Sequence, residues 1–232
     1  MSREKHAIFL CDLTGIMAQP WINRGCHAWL VDPQHDGDTH DGLVHKVGRT
    51  ILGAMDILRP LILGGNVVFV AGFPPCTDLT SAGAKHWEGK RSKDPYFQAK
   101  AAIVLEQCRM IGEMSGAPWI FENPNGAASG IMGQPSFRFD PRDFGGYLPD
   151  SDVHPLYPDY LPPRDGYKKR TCVWSGGGFI IPEHKPVVSL DHFPGWALLG
   201  GKSQRTKNIR SATPRGFSEA ACLANYKGEG ND

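Results

Sequence analysis

A short apolar run that ends abruptly is the feature that most constrains the fold of this chain. Val67 to Ala71 is rich in β-branched residues, and Gly72 follows directly. A run of this length and composition predicts a fully buried strand. Pro74 and Pro75 then take the chain out of the strand, and Cys76 comes next. Ligands bind at the carboxyl ends of strands in open α/β sheets, so this pattern favours a thiol at a site over a structural cysteine.

Apolar runs alternate with helical patterns along the first half of the chain. Strands are predicted at residues 7–11, 27–31, 43–47, 67–71 and 119–121, and helices at about 17–24, 50–58 and 95–115. This alternation predicts an α/β fold with a doubly wound, Rossmann-like, mostly parallel sheet. Residues 125–167 have a loop-like composition, residues 171–174 predict one more strand, and a last helix is predicted from Pro214. The length of 232 residues favours one domain with a small loop-rich appendage.

The overall charge gives no preference for a nucleic-acid partner. The net charge is +1 and the pI is about 7.7, so any basic footprint must be local. The six cysteines form no Cys-x-x-Cys pair, and the apolar segment near the N-terminus is too short for the core of a signal peptide. No apolar stretch is long enough to span a bilayer. We therefore expect reduced thiols, a cytoplasmic location and no membrane association.

Two acidic residues follow the first two predicted strands. Asp12, Leu13, Thr14 and Gly15 form a predicted turn before a helix, and backbone N–H groups at such a place can bind an anionic group. Asp32 ends the second strand, where an acid can bind the two ribose hydroxyls of an adenosine cofactor. The Gly-x-Gly-x-x-Gly pattern is absent. The alternative of a turn glycine and an ordinary loop acid therefore stays open.

A carboxylic acid and a group of cations complete the candidate site. Glu122 and Asn123 end the strand after the one that leads to Cys76, and parallel strands open at the same edge. A thiol facing an acid suits attack on an aromatic ring whose nitrogen is protonated at the same time. The alternative is that Glu122 caps the next loop. The basic run 168–170 enters the last strand, where it can face the site or form a solvated surface patch.

These segments, in this order, resemble the cytosine-5 DNA methyltransferases. The residues that carry the resemblance are Cys11-Asp12-Leu13-Thr14-Gly15, Asp32, Gly72-Phe73-Pro74-Pro75-Cys76, Phe121-Glu122-Asn123, Lys168-Lys169-Arg170 and Ser211-Ala212-Thr213-Pro214. The Pro-Pro-Cys and Glu-Asn pair is the specific part. The resemblance implies the fold of S-adenosylmethionine-dependent methyltransferases, with a catalytic domain at 1–174 and 211–232.

The resemblance also implies a role for each matched residue. Cys76 would attack C6 of a cytosine flipped out of duplex DNA, with Glu122 at N3 and Arg170 at O2. S-adenosyl-L-methionine is the implied cofactor, and the residues implied to bind it are Asp12, Leu13, Thr14, Gly15, Asp32, Pro33, Gly72, Pro74, Ser211 and Thr213. The residues implied to bind the substrate are Pro75, Thr77, Asn123, Lys168, Lys202, Arg205 and Lys207.

The chain departs from the family in ways that affect the expected specificity. Ile16-Met17 replaces a glycine pair, and no acid follows the third strand to bind adenine. Only residues 175–210 are left for target recognition, too few for an independent core, so we expect short or relaxed sequence specificity. This small size suits a solitary bacterial or phage enzyme, and a monomer is favoured.

Other functions remain possible from the sequence. A tRNA cytosine-5 methyltransferase would carry the same catalytic residues. A degenerate methyltransferase fold that only binds nucleic acid is a second alternative. An amino-methyltransferase is disfavoured, because such enzymes carry an aromatic residue where Cys76 stands. The acidic and histidine-rich segment 35–41 lacks metal-ligand spacing, so no metal is expected.

Overall fold

The computed structural model describes residues 4–189, 199 and 203–227. Its strands are β1 (His6–Leu10), β2 (His27–Val31), β3 (Thr39–Asp41), β4 (Val44–Val47), β5 (Val67–Gly72), β6 (Trp119–Pro124), β7 (Phe137–Phe139) and β8 (Thr171–Gly176). Its α-helices are α1 (Gln19–Ile22), α2 (Met55–Leu63), α3 (Trp87–Lys93), α4 (Phe97–Ser115), α5 (Ala128–Met132), α6 (Gln204–Ser211) and α7 (Arg215–Asn225). Short 3-10 helices lie at Leu52–Ala54, Ser81–His86, Pro141–Tyr147 and Pro163–Asp165.

All eight strands form one sheet in the order β3-β4-β2-β1-β5-β6-β8-β7. Strands β4, β2, β1, β5 and β6 are mutually parallel, whereas β3 and β8 run antiparallel to their neighbours. The strand order reverses at β1. The next strand along the chain, β2, pairs with one side of β1, and β5 pairs with the other side. Such a reversal opens a crevice at the carboxyl ends of the two strands.

Helices cover both faces of the sheet, because alternate residues of the central strands are apolar on each side. Ile8 and Leu10 of β1 pack with α2 and α4 on one face. Ala7 and Phe9 pack with α1 and α7 on the other face. The predicted mixed α/β architecture with a mostly parallel sheet is therefore confirmed, and its layering is compatible with a Rossmann-like fold.

The structure differs from the sequence prediction at the edges of the sheet. No strand is predicted between residues 31 and 43, yet this segment contains the exposed strand β3, which forms an antiparallel hairpin with β4. The segment 125–167 contains α5 and β7 in addition to loops. Helix α1 begins at Gln19 rather than at Met17, since Pro20 can occupy only the first turn of a helix, and it is only four residues long.

A third, small apolar cluster joins distant parts of the chain above the sheet. Ile16, which follows the first turn, packs with Leu161, Tyr167, Leu199, Ile209 and Ala212. Helix α6 therefore rests on the same apolar cluster as the segment 157–167. No helix within the described residues is both long enough and apolar enough to cross a bilayer.

Candidate functional site

The turn after β1 is organised by the buried carboxylate of Asp12. Its Oδ1 accepts hydrogen bonds from the backbone N–H groups of Thr14 (2.9 Å) and Gly15 (2.8 Å), and from the Thr14 hydroxyl (3.2 Å). Gly15 has a φ of +67°, which favours glycine. The other carboxylate oxygen, Oδ2, is buried and has no partner among the described residues. Burial raises the pKa of Asp12, and the three hydrogen bonds oppose that effect.

A pocket of about 180 Å³ opens at the ends of β1 and β2. Asp32 and Pro33 line it on one side, together with Cys11 and Gln34. Asp32 is itself buried, and its Oδ1 accepts a hydrogen bond of 2.8 Å from the Gln34 backbone N–H. The apolar part of the wall comes from Val31, Ile51, Pro75 and Val104, and further polar groups come from Arg49, Thr50 and Gln107. The pocket therefore combines apolar walls with an acid at one end.

The segment after β5 holds Cys76 in a fixed turn. The Cys76 carbonyl accepts hydrogen bonds from the backbone N–H groups of Leu79 (3.0 Å) and Thr80 (2.9 Å). Leu79 is fully buried in the core that contains α2 and α4. Thr77 is exposed beside this turn. The thiol of Cys76 is thus presented by a turn whose buried side chain anchors it to the sheet.

A second backbone connection ties this turn to the end of β6. The Ala127 N–H donates to the Leu79 carbonyl (2.7 Å), and the Ser81 N–H donates to the Asn125 carbonyl (3.0 Å). Gly126 lies between them, and a Cβ added there would stand 1.9 Å from the Leu79 carbonyl oxygen. The close approach therefore requires glycine at this position.

Glu122 and Asn123 end β6 beside the Cys76 turn. The buried Asn123 side chain donates a hydrogen bond of 3.1 Å to the Pro74 carbonyl, just before Cys76. The Glu122 residue is half-buried, but its Oε2 is fully enclosed and has no partner within the described residues. Burial raises the pKa of Glu122, while the charge of Lys169 opposes the rise. The structure thus holds a carboxyl group near the thiol and favours its protonated form.

The thiol itself experiences opposing influences. Burial raises the pKa of Cys76, the neighbouring Glu122 raises it further, and Lys169 lowers it. The charges of Glu122 and Lys169 therefore act on the thiol in opposite directions. The two strand ends predicted to meet do meet, since β5 and β6 are hydrogen-bonded neighbours.

The basic run before β8 reaches the site through an antiparallel strand. Thr171 of β8 pairs with Pro124 of β6, so residues 168–170 lie at the carboxyl edge of the parallel strands. The predicted residue Arg170 forms an ion pair of 3.4 Å with Asp140, and its side chain is 55 % exposed. Lys169 is half-buried instead and is the cation that acts on Cys76 and Glu122. The role predicted for Arg170 stays a prediction. Lys169 belongs to the matched segment, but no role was predicted for it.

The chain matches no protein-family model and no curated protein to which it was compared. The residues of the site alone therefore support a functional proposal.

The other predicted site residues lie on two sides of the crevice. Gly72 and Pro74 are buried where β5 ends, and Leu13 lies in the first turn. Thr213 is buried between α6 and α7, and the preceding Ala212 packs with Ile16. Ser211 is exposed at the end of α6, and its hydroxyl donates to the Asn208 carbonyl at 3.2 Å. The segment 211–213 therefore adjoins the first turn.

The predicted nucleic-acid contacts on α6 lie near the residues that follow β2 and not beside Cys76. Gln204 of α6 donates a hydrogen bond of 2.7 Å to the Gln34 side chain, after β2. Arg205 stacks over the Tyr160 ring at 5.4 Å, and Lys207 is exposed. Because β2 is two strands away from β5, α6 stands on the pocket side of the crevice. Lys168 is exposed, and Lys202 lies outside the described residues.

A buried polar cluster that the sequence did not indicate joins the start of α7 to Asp152 and Asp165. Arg215 forms a bidentate pair with Asp152 (2.5 and 2.6 Å), and the Gly216 N–H donates to Asp165 at 2.8 Å. Burial raises the pKa of Asp165 to about 6, and it lowers the pKa of His154 to about 4. Tyr167 is buried between this cluster and Glu122, and burial raises the pKa of its phenol. These residues stand far apart in sequence, so no local pattern signals the cluster.

Proposed function

We propose that this protein is an S-adenosyl-L-methionine-dependent DNA methyltransferase that modifies C5 of cytosine through a covalent bond between Cys76 and C6. The observation that carries the proposal is the placement of Cys76 and Glu122 at adjacent strand ends. The Asn123–Pro74 hydrogen bond joins the two segments. The arrangement offers a nucleophile and a carboxyl group whose pKa is raised by burial for one substrate ring, which is the combination that this reaction needs.

The chemistry assigned to the chain starts with Cys76. Its thiolate forms a bond to C6 of the cytosine; the C5–C6 electron pair moves to C4–C5, the C4–N3 pair moves onto N3, and C5 becomes nucleophilic. Glu122, whose pKa is raised by burial, donates its proton or a hydrogen bond to N3 and so stabilises the charge that develops there. After C5 has been methylated, loss of the C5 proton to a base and departure of the Cys76 sulfur restore the aromatic ring. In duplex DNA, the cytosine must first leave the base stack.

The crevice at the ends of β1 and β2 suits the proposed cofactor. The pocket of about 180 Å³ is smaller than the roughly 300–1,000 Å³ of sites that enclose whole drug-sized ligands, so it fits one part of the cofactor, its adenosine. Asp32 would accept hydrogen bonds from the ribose hydroxyls. The unpartnered Oδ2 of Asp12 offers a further acceptor at the turn. When bound, S-adenosyl-L-methionine supplies the methyl group.

We assign the sheet, within the same proposal, to the fold of S-adenosylmethionine-dependent methyltransferases. The reversal of strand order at β1 supports this assignment, because the proposed adenosine pocket and the proposed nucleophile lie on the two sides of the reversal. Duplex DNA is the proposed partner, and the exposed cations that would contact its phosphates are Lys168, Arg205 and Lys207.

Covalent trapping tests the proposal directly. A duplex that carries 5-fluorocytosine should form an adduct with the protein in the presence of S-adenosyl-L-methionine, because fluorine at C5 prevents the loss that frees the sulfur. The Cys76→Ser variant should form none. Cys172→Ser is the matched control, since the Cys172 thiol is buried in β8 and its loss should leave the adduct unchanged.

The same adduct separates the competing functions. An adduct with tRNA and none with duplex DNA would identify the RNA methyltransferase. Binding of nucleic acid with no adduct on either substrate would support a degenerate fold that only binds. Methylation across a series of duplexes with scrambled contexts then measures specificity. A strict site of four or more bases would contradict the relaxed specificity that we expect.

A further inference from the structure

The pocket at the ends of β1 and β2 has five lining residues with oxygen or nitrogen in their side chains, and four of these side chains already have partners. Asp32 accepts a hydrogen bond from a backbone N–H, and Gln34 accepts one from a side-chain amide of α6. Arg49 forms ion pairs with two carboxylates, and the Thr50 hydroxyl oxygen accepts from a backbone N–H at 3.1 Å. The fifth is Gln107, whose amide has no hydrogen-bond partner among the residues that the structure describes. Its donors and acceptor are therefore available to a ligand in this pocket.

Helix α4 brings Gln107 to the pocket from a different wall than the one that carries Asp32. The helix packs against β5 and β6, whereas Asp32 follows β2, and β1 lies between β2 and β5. Val104 also lines the pocket, and it precedes Gln107 by three residues, so both side chains lie on the same face of α4. Gln107 is half-buried there. A ligand that binds Asp32 at one wall can therefore meet the Gln107 amide at another.

The shape and chemistry of the pocket suit a purine at the Gln107 wall. Ile51, Pro75 and Val104 supply apolar lining, which favours a flat aromatic ring. The edge of adenine presents a donor, the N6 amine, next to a ring nitrogen that accepts. A carboxamide has one acceptor and two donors, and it matches this edge at two points, as glutamine does when it binds adenine in DNA. No acid follows the third predicted strand to bind adenine, so the chain needs another acceptor for N6.

We propose that Gln107 binds the adenine edge of the cofactor and determines the preference of the pocket for adenine. Its carbonyl oxygen accepts a hydrogen bond from the N6 amine, and its NH2 group donates to the adjacent ring nitrogen. Asp32 binds the ribose at the other wall. The inference rests on the proposed function, because it takes this pocket as the adenosine site.

Two nucleosides test the contact on the unmodified protein, without DNA and without turnover. Adenosine carries the N6 amine, whereas purine riboside has a hydrogen in its place and is otherwise the same nucleoside. Titration calorimetry gives the Kd of each. The wild type should bind purine riboside about three- to tenfold more weakly, which is the range expected for the loss of one hydrogen bond. Equal Kd values would overturn the proposal, and this comparison requires no variant to fold.

Variants of two glutamines that line the same pocket assign the preference to one side chain. Gln107→Leu keeps a good helix former on α4 and should bring the ratio of the two Kd values close to one. Gln107→Glu keeps an acceptor for the N6 amine, so it should retain the preference. It should bind both nucleosides more weakly, because its carboxylate repels the lone pair of the ring nitrogen. Gln34→Leu is the matched control and should leave the ratio at its wild-type value.

The outcomes separate this inference from the proposed function. A wild-type ratio that persists in Gln107→Leu, or that falls equally in Gln34→Leu, would overturn the role of Gln107 while the adenosine pocket stands. A wild type that binds neither nucleoside would overturn the adenosine pocket and this inference with it. A protein that shows the expected ratios and yet forms no adduct with 5-fluorocytosine would contradict the methylation reaction and leave the role of Gln107 supported.

Discussion

The contact at Gly126 allows a quantitative test of how the site is built. A Cβ at this position would stand 1.9 Å from the Leu79 carbonyl oxygen and 2.8 Å from the Thr80 Cα, distances that no relaxation of a side chain can relieve. Gly126→Ala must therefore separate the Cys76 turn from the end of β6. The backbone hydrogen bonds at risk run from Ala127 to Leu79 and from Ser81 to Asn125.

The expected loss follows from these contacts. Two hydrogen bonds contribute about 1 kcal/mol each, and partial exposure of the fully buried Leu79 side chain adds up to about 2 kcal/mol. We expect Gly126→Ala to lower the free energy of unfolding by about 2–4 kcal/mol. The alkylation rate of the Cys76 thiol should also change, because the turn that holds Cys76 loses these backbone hydrogen bonds.

Urea denaturation followed by circular dichroism measures the loss, and the chain offers a matched control. Gly130 lies in α5, and a Cβ there would meet no atom within 4 Å. Gly130→Ala should be neutral, or stabilising by up to about 1 kcal/mol, because alanine favours the helix. If the free energy of unfolding of Gly126→Ala lies within about 0.5 kcal/mol of the wild-type value, a range typical of surface substitutions, the tight contact between the two segments does not exist.

Three further predictions concern the crevice and the buried cluster. Asp32→Ala should abolish stabilisation by S-adenosylhomocysteine, which in the wild type should reach about 2.7 kcal/mol at a hundredfold excess over Kd; thermal unfolding with and without ligand measures it. His154→Asn should reduce acid sensitivity: the pKa is about 4 when folded and about 6.5 unfolded, so the unfolded state binds more protons in that window and stability falls with falling pH. The variant should recover about 2 kcal/mol of the stability lost between pH 7 and 4.5, as measured in urea titrations. Part of the acid sensitivity should remain because His45 also has a pKa of about 4. Asp165, whose pKa is raised to about 6, has the opposite effect on stability. Arg215→Gln should destabilise the fold by about 3–5 kcal/mol, because the buried Asp152 carboxylate loses its cation and keeps the hydrogen bond from the Arg164 backbone N–H; equal unfolding midpoints would contradict the bidentate pair.

The central strands were predictable because their signals are local. β2 has the predicted bounds, and β5 ends one residue later than expected, since buried strands read as continuous apolar runs bounded by turn residues. The turn after β1 and the two strand ends that carry Cys76 and Glu122 follow from the same signals. Parallel pairing then brings these ends to one edge without further information.

The parts that escaped prediction depend on contacts between distant segments. β3 is fully exposed at the edge of the sheet, so no apolar alternation reveals it. Selection of Lys169 over Arg170 depends on Asp140, which lies thirty residues earlier and attracts the arginine. The role of Gly126 depends on the carbonyl of Leu79 across the site. In these cases a residue that is distant in the sequence determines the local structure, and the sequence alone does not identify that residue.

The antiparallel direction of β8 limits how the chain can reach its substrate. Gly176 pairs with Trp119 at the start of β6, so the chain leaves β8 at the edge opposite Cys76. It then reaches the 3-10 helix Pro141–Tyr147, where the Lys185 and Val187 N–H groups donate to the Asp143 and Arg142 carbonyls. Residues 177–187 of the segment proposed for target recognition therefore connect the edge of the sheet opposite Cys76 with the 3-10 helix at Pro141–Tyr147. A larger recognition module could be added beside α6 at the crevice, whereas an insertion at Gly177 would lie at the edge of the sheet opposite Cys76.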